Sequence, residues 1–227
     1  MKAAVSPLSV SPILVDQVYE QLTLAITARR LEPGARIRQA DLAMQLGVSR
    51  QPVSHALQLL KKQGLVQDRG RKGLEVAPMD PGHIRNLYQV RGALDTLAAR
   101  LAAERAKARR LSRDDRAALE ATVEAGLRLG ANASVMEMVK SDVAFHRLIY
   151  SLSGNPSIME TLEPQFPHLM RSMHVVLEAP VFRSRAWGEH AAIAAAVLAG
   201  DVAGAMDAAF RHAEAAGSET ERRLTAG

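Results

Sequence analysis

The sequence predicts a mainly α protein: an N-terminal winged helix-turn-helix with a small β wing, then an antiparallel six-helix bundle. Three observations predict it. Nearly half of the 227 residues are apolar, yet aromatics make up only 4% and alanine is abundant, which suits closely packed helices better than a β-sandwich. Apolar residues recur at helical spacing along most of the chain. Strand-like runs are confined to one stretch, LVQDRGRKGLEVAP, beginning at Leu65.

Composition narrows the setting. There is no cysteine, which excludes disulfides and thiolate metal sites and is compatible with a reducing cytoplasm. The opening MKAAVSPLSVSP carries two prolines and no continuous apolar core, so residues 1–12 read as a loose arm rather than a signal peptide. The longest apolar run, Ala191 to Ala199, is too short to cross a bilayer, so a soluble, cytoplasmic protein without a membrane partner is expected. Charge divides unevenly. Up to Pro78 there are 11 Lys/Arg against 6 Asp/Glu, an excess equal to the net +5 of the whole chain. The rest carries 18 of each sign. A basic segment joined to a neutral one suggests a polyanion-binding module, residues 13–78, attached to something else, residues 79–227.

In the basic segment, 13–30 read as a helix with Val15, Val18, Leu22 and Ile26 on one side, ended by Pro33–Gly34. QADLAMQLG is a second, short helix buried through Leu42, Ala43 and Leu46, and Gly47 supplies the turn. Ser49 is placed to cap a third helix whose inward stripe is Val53, Ala56, Leu57 and Leu60. In a helix-turn-helix the second helix of the pair enters the major groove of double-stranded DNA by its N-terminal end. The outward residues of that end are Arg50, Gln51, Ser54 and His55; Arg50 suits a guanine edge or a phosphate, and Gln51 an adenine. Beyond Gly64, two β-like runs around Gly70 and Gly73 read as a wing, with Arg69, Arg71 and Lys72 at its tip to meet the phosphate backbone or the minor groove. Arg38, just ahead of the second helix, completes the candidate DNA-contacting set.

In the neutral segment Asp80 caps and Pro81 opens the first of six helices, near 81–106, 112–129, 134–153, 156–178, 183–199 and 201–223. Pro164 and Pro167 should break or kink the fourth. The first helix turns Ile84, Leu87, Tyr88, Leu94, Ala98 and Leu101 inward, and Arg91 and Asp95 with them. Those two either pair with each other, or Arg91 meets an anionic ligand, because a guanidinium fork matches a carboxylate. In the third helix, Asp142 and His146 share a face with Val135, Met138, Val139, Phe145 and Ile149. Alone, such a pair is more often a hydrogen-bonded core pair than a metal site. Yet His190 shares a stripe with Trp187, Ala191, Ala194 and Val197, and His212 one with Met206, Ala209 and Ala213. Three helices thus point one carboxylate and three imidazoles inward, a set suited to zinc, nickel or manganese. His168 and His174 read as surface or pocket-lining residues.

Two family resemblances follow from these motifs. PGARIRQADLAMQLGVSRQPVSHALQLLKKQGLVQDRGRKGLEV resembles the winged helix-turn-helix of GntR-family transcription regulators, through LGVSRQPV…AL…L…GLV…G…V. The resemblance implies that Ser49, Arg50 and Gln51 face the bases. The family usually has Arg-Glu after its Pro-Val, where this chain has Ser54-His55, so no operator sequence carries over. Where the family has a glycine before the PG turn, this chain has Arg29. DVAFH, EHAAIAAAVLAGD and AFRHAEAA resemble the metal-binding version of the FadR C-terminal (FCD) domain, in its six-helix, VanR-like branch. This second resemblance implies one divalent metal per subunit, zinc before nickel or manganese, on Asp142, His146, His190 and His212. It also implies a small carboxylate effector near Arg91, and a homodimer on an inverted-repeat operator. A ligand-responsive regulator, more a repressor than an activator, is the expectation. A regulator that senses the ion itself, or a metal-dependent enzyme fused to a DNA-binding module, stands as the alternative. No Glu-x-x-His and no Gly-rich phosphate loop occur, which weighs against the enzyme.

Overall fold

The computed structural model describes residues 12–70, 73–129 and 133–226, and the chain divides into two units, Met1–Pro78 and Met79–Gly227. The expected arm lies outside the described residues except for Pro12, at which helix α1 begins; Arg71 and Lys72 lie outside them too.

The first unit comprises α1 (Pro12–Thr27), β1 (Arg36–Ile37), α2 (Gln39–Leu46), α3 (Arg50–Lys62), β2 (Val66–Asp68) and β3 (Leu74–Val76). The strands form an antiparallel sheet in the order β1-β3-β2, with Val66 opposite Val76 and Arg36 opposite Glu75. Its core joins Val18, Leu22 and Ile26 of α1 to Val53, Ala56, Leu57 and Leu60 of α3, with Ile37, Val66 and Val76 from the strands. Burying each large aliphatic side chain contributes about 1.5–3 kcal/mol, which is how so small a unit keeps its own core. Gly47 takes φ 65°, the left-handed turn that separates α2 from α3. Ser49 stands at the N-cap of α3, but its hydroxyl makes no capping bond, so its oxygen is available for other donors. Lys61 at the end of α3 grips both oxygens of Asp68, at 2.8 and 2.7 Å, tying the helix to the wing.

The second unit is all helical among the described residues: α4 (Pro81–Lys107), α5 (Arg113–Arg128), α6 (Val135–Ser153), α7 (Pro156–Leu162), a 3-10 turn (Glu163–Gln165), α8 (Phe166–Leu177), α9 (Pro180–Ala199) and α10 (Val202–Ala226). Asp80 accepts from the His83 amide at 2.6 Å and Pro81 opens α4, while Ser112 and Ser134 start α5 and α6 with capping boxes. The fourth expected helix is realised as α7 and α8. Pro164 lies in the turn between them and Pro167 in the first turn of α8, where a missing N–H costs no helical bond. Small residues set the packing. Ala98, Ala99, Ala102 and Ala103 make an almost wholly buried face of α4. A Cβ on Gly217 of α10 would lie 2.7 Å from Tyr88 Cβ of α4, so these two helices approach more closely than larger residues would permit. No described helix is long and apolar enough to cross a membrane.

Candidate metal centre and nucleic-acid face

The interior of the second unit collects its ionisable groups in one place. Asp142 and His146 stand one turn apart on α6, α9 contributes His190 and α10 His212, and all four are buried. The ligating atoms of the three histidines lie within 4.8 Å of one another. His190 Nε2 is 3.3 Å from His212 Nε2 and 3.5 Å from Asp142 Oδ1, and His146 Nε2 is 3.6 Å from Asp142 Oδ2. A four-coordinate ion with bonds of about 2.1 Å holds its ligands roughly 3.4 Å apart, so these separations match the edges of such a site.

Protonation points the same way. Burial, followed by the Arg91 charge, pushes the His146 imidazole well below its ordinary range; burial, followed by His212, does the same to His190. Both are neutral, the form a metal requires. Burial raises the Asp142 carboxyl, against the opposing pull of Arg91. Its oxygens face His146 and His190 at more than hydrogen-bond length, and His190 leaves Nδ1 buried without a partner. A buried carboxylate short of donors, facing imidazole nitrogens beyond hydrogen-bond length, is a poor hydrogen-bonded core and a good set of ligands for a divalent cation. The walls are aromatic: Phe145 stacks on His190 at 4.2 Å and Trp187 meets it edge-on at 4.9 Å.

Outer contacts orient these rings. His212 Nδ1–H donates to Glu189 Oε2 at 2.8 Å, which turns Nε2 inward, and Arg185 Nε holds the other Glu189 oxygen at 2.7 Å. Although partial burial works against it, these contacts hold the Glu189 carboxyl below its ordinary range. Glu189 lies along a surface groove of about 450 Å³ between α9 and α10, which Arg185, Arg211 and His212 also line. From α4, Arg91 takes the first of its two expected roles, pairing with Asp95, and adds a contact to a candidate ligand. Its Nε donates to Asp95 Oδ2 at 3.1 Å, and its Nη2 reaches His146 Nε2 at 2.6 Å. The Tyr150 hydroxyl donates to the other Asp95 oxygen, and burial, then the Asp95 charge, keeps that phenol protonated. The cavity beside this network, lined by Asp95, Phe145, His146 and Tyr150 among others, holds only about 10 Å³. That is room for about one water.

Sequence reasoning missed Glu189 and Tyr150. Glu189 immediately precedes a candidate ligand, a usable hint, but its partner lies 23 residues away. His168 and His174 stay outside this cluster. His168 is buried edge-on against His83, with ring centroids 5.6 Å apart, and His174 stands 3.6 Å from Glu178.

In the first unit the helix-turn-helix presents Arg38, Ser49, Arg50, Gln51 and His55 to solvent, with Ser54 half-buried beside them. Arg69 is exposed at the wing, 3.4 Å from Glu75, and its amide donates to Gly73 O at 2.7 Å to close the turn. The face is cationic and carries side chains able to read base edges.

Known proteins share both halves. Residues 14–76 match the family described as "Bacterial regulatory proteins, gntR family", and residues 86–215 match the FCD domain. An HTH-type transcriptional regulator from an unstable DNA locus of Streptomyces ambofaciens is 31% identical over 211 residues, 90% of this chain and 84% of that protein. The HTH-type transcriptional regulator YdhC of Bacillus subtilis (strain 168) is 31% identical over 147 residues, 65% of this chain and 64% of its own length. The solved structure of McbR/YncC from E. coli has the same fold, with a TM-score of 0.77 at 23% identity, covering 94% of this chain and 99% of that one. These relatives are transcription regulators, not enzymes. With a cationic winged helix-turn-helix ahead of an FCD domain, the chain belongs to the GntR family of bacterial transcription regulators.

Proposed function

We propose that this regulator binds an inverted-repeat operator as a homodimer and represses from it. Release follows when a small organic acid binds beside a divalent metal, zinc before nickel or manganese, held by Asp142, His146, His190 and His212. The observation that carries the reading is the convergence of buried imidazoles on an under-partnered buried carboxylate, with the Arg91 guanidinium alongside. When bound, the ion supplies a Lewis-acidic anchor for a carboxylate.

The residues of the chain do the rest. Arg91 provides a second, charge-assisted anchor. Glu189 fixes the His212 ring. Phe145 and Trp187 keep the centre dry, which strengthens every charge interaction in it. Arg91 and Asp95 sit on α4, which begins three residues after the DNA-binding unit ends at Pro78, so a change at Arg91 is felt on the helix that follows the linker. For DNA, Ser49 and Gln51 read base edges, Arg50 meets a base edge or a phosphate, Ser54 and His55 flank them, and Arg38, Arg69, Arg71 and Lys72 meet phosphates.

A second reading, in which the ion itself is the signal, is favoured by the 10 Å³ cavity, too small for an organic acid unless side chains move. One experiment separates the two. Metal content and operator affinity are measured on wild type and on His190→Ala, with metal alone and with a panel of small carboxylates. The proposal expects His190→Ala to lose metal and acid-triggered release while keeping operator binding. Release by metal alone supports the second reading, and a metal-replete wild type that carries no metal rejects both.

A further inference from the structure

One lone pair has two claimants. A guanidinium has only donors, so in the 2.6 Å contact between Arg91 Nη2 and His146 Nε2 the imidazole nitrogen is the acceptor. A neutral imidazole has a single in-plane lone pair, on the nitrogen that carries no proton. His146 therefore spends on Arg91 the electrons it would give to an ion. The other edge of Arg91 is occupied: Nε is bound to Asp95 Oδ2, and Tyr150 holds the remaining Asp95 oxygen in place. Arg91 is 1% exposed, so an N–H taken from His146 finds no solvent to replace it. A buried charged donor stripped of its acceptor is costly.

We propose that Arg91 and a divalent metal exclude each other at His146 Nε2, so that metal loading frees the Arg91 Nη2 donor to receive a carboxylate. The two ligands then bind cooperatively, metal first. The proposal rests on the metal reading above and goes beyond it by fixing the order of binding and the sign of the coupling. Closed, the network satisfies itself and leaves about 10 Å³ beside it. With a metal on His146, Arg91 would keep its Asp95 edge and be left with a free donor edge. A carboxylate placed there satisfies both cations at once. Linkage makes the effect reciprocal: the acid tightens the metal by the factor by which the metal tightens the acid.

The test uses Co²⁺ as the probe, titrated into the full-length protein against a chromophoric chelator in carboxylate-free buffer. Arg91→Met removes the competitor and is expected to bind Co²⁺ about tenfold tighter than wild type, or more, within the range of couplings between sites. Adding acetate is expected to tighten Co²⁺ about fivefold or more in wild type and little in Arg91→Met. Equal or weaker Co²⁺ binding by Arg91→Met overturns the proposal and leaves the metal site standing. Should that variant fail to fold with Asp95 unpaired, Arg91→Met/Asp95→Asn takes its place, and the wild-type acetate arm needs no variant at all. Indifference of wild type to acetate also overturns the proposal. So does a Co²⁺-loaded crystal structure in which His146 Nε2 still accepts from Arg91. Wild type that takes up no Co²⁺ under any condition overturns the proposal and the metal reading together.

Discussion

Arg29 follows α1 with φ 54°, in the left-handed region that a Cβ disfavours by roughly 1–2 kcal/mol. The helix stops at Thr27, and Leu31 N turns back to Ala25 O at 3.0 Å, so the chain must make this bend whatever residue occupies it. The guanidinium meets Glu32 at 3.3 Å on the surface, a contact of small value. Arg29→Gly should therefore stabilise the protein by about 0.5–1 kcal/mol, once the larger chain entropy of unfolded glycine is subtracted. A urea melt of the full chain measures it, and a loss of stability would assign the greater weight to the contacts of the guanidinium. This bend was not legible in the sequence, whose helical reading ran on to residue 30, past the end of α1 at Thr27. The inward placement of Asp142, His146, His190 and His212 was legible, since helical spacing alone turns each of them inward. Glu189 and Tyr150 were not. Their partners, His212 and Asp95, lie 23 and 55 residues away, and no local period reports such a pairing.

Helices α5 and α9 meet through an absence. A Cβ on Gly126 of α5 would lie 2.1 Å from the Trp187 ring of α9, so the indole occupies the space that a side chain would fill. Gly126→Ala would gain about 1 kcal/mol of helix propensity but collide with a rigid ring, and we expect a net loss of about 1–3 kcal/mol. Trp187 is the only tryptophan, so its fluorescence should shift with the melt. It also packs edge-on against His190, so the same variant should loosen the candidate metal centre. A melt and emission spectrum unchanged from wild type would mean that α5 and α9 part freely. Among the elements, those with strong punctuation were the legible ones. Asp80–Pro81 and the paired prolines at 164 and 167 marked starts and breaks that the structure keeps within a few residues. Less legible was the start of α9 at Pro180, three residues ahead of the sequence expectation. Ala179 offers no capping oxygen there, and the proline alone opens the helix. Ser49 reverses the case: its place was legible and its missing hydrogen bond was not.

At the scale of the molecule, charge and chemistry are kept apart. The first unit holds the entire +5 excess, and the second, electrically neutral, holds the candidate metal centre. A cationic face attracts DNA through released counterions, whereas a buried centre is scarcely screened by salt. The salt dependence of operator binding can therefore be read as a count of phosphate contacts. If Arg38, Arg50, Arg69, Arg71 and Lys72 of one copy each neutralise a phosphate, log K falls with log salt at a slope of about −4.5, and a pair of copies doubles that to about −9. Arg69 must leave Glu75 to take part, which lowers the pair's value towards about −7. Two recognition helices related by a twofold axis also require half-sites about one helical turn apart, so the footprint should be palindromic. Operator titration from low to high salt, with stoichiometry measured alongside, tests both expectations. A slope near −4 with one chain per site would make the DNA-binding form a monomer and remove the homodimer from the proposal. A slope near −7 to −9 with two chains per palindrome would assign the basic face of each copy to its own half-site. Because the second unit contributes no net charge, adding metal or acid should then change the intercept of that plot and leave its slope alone.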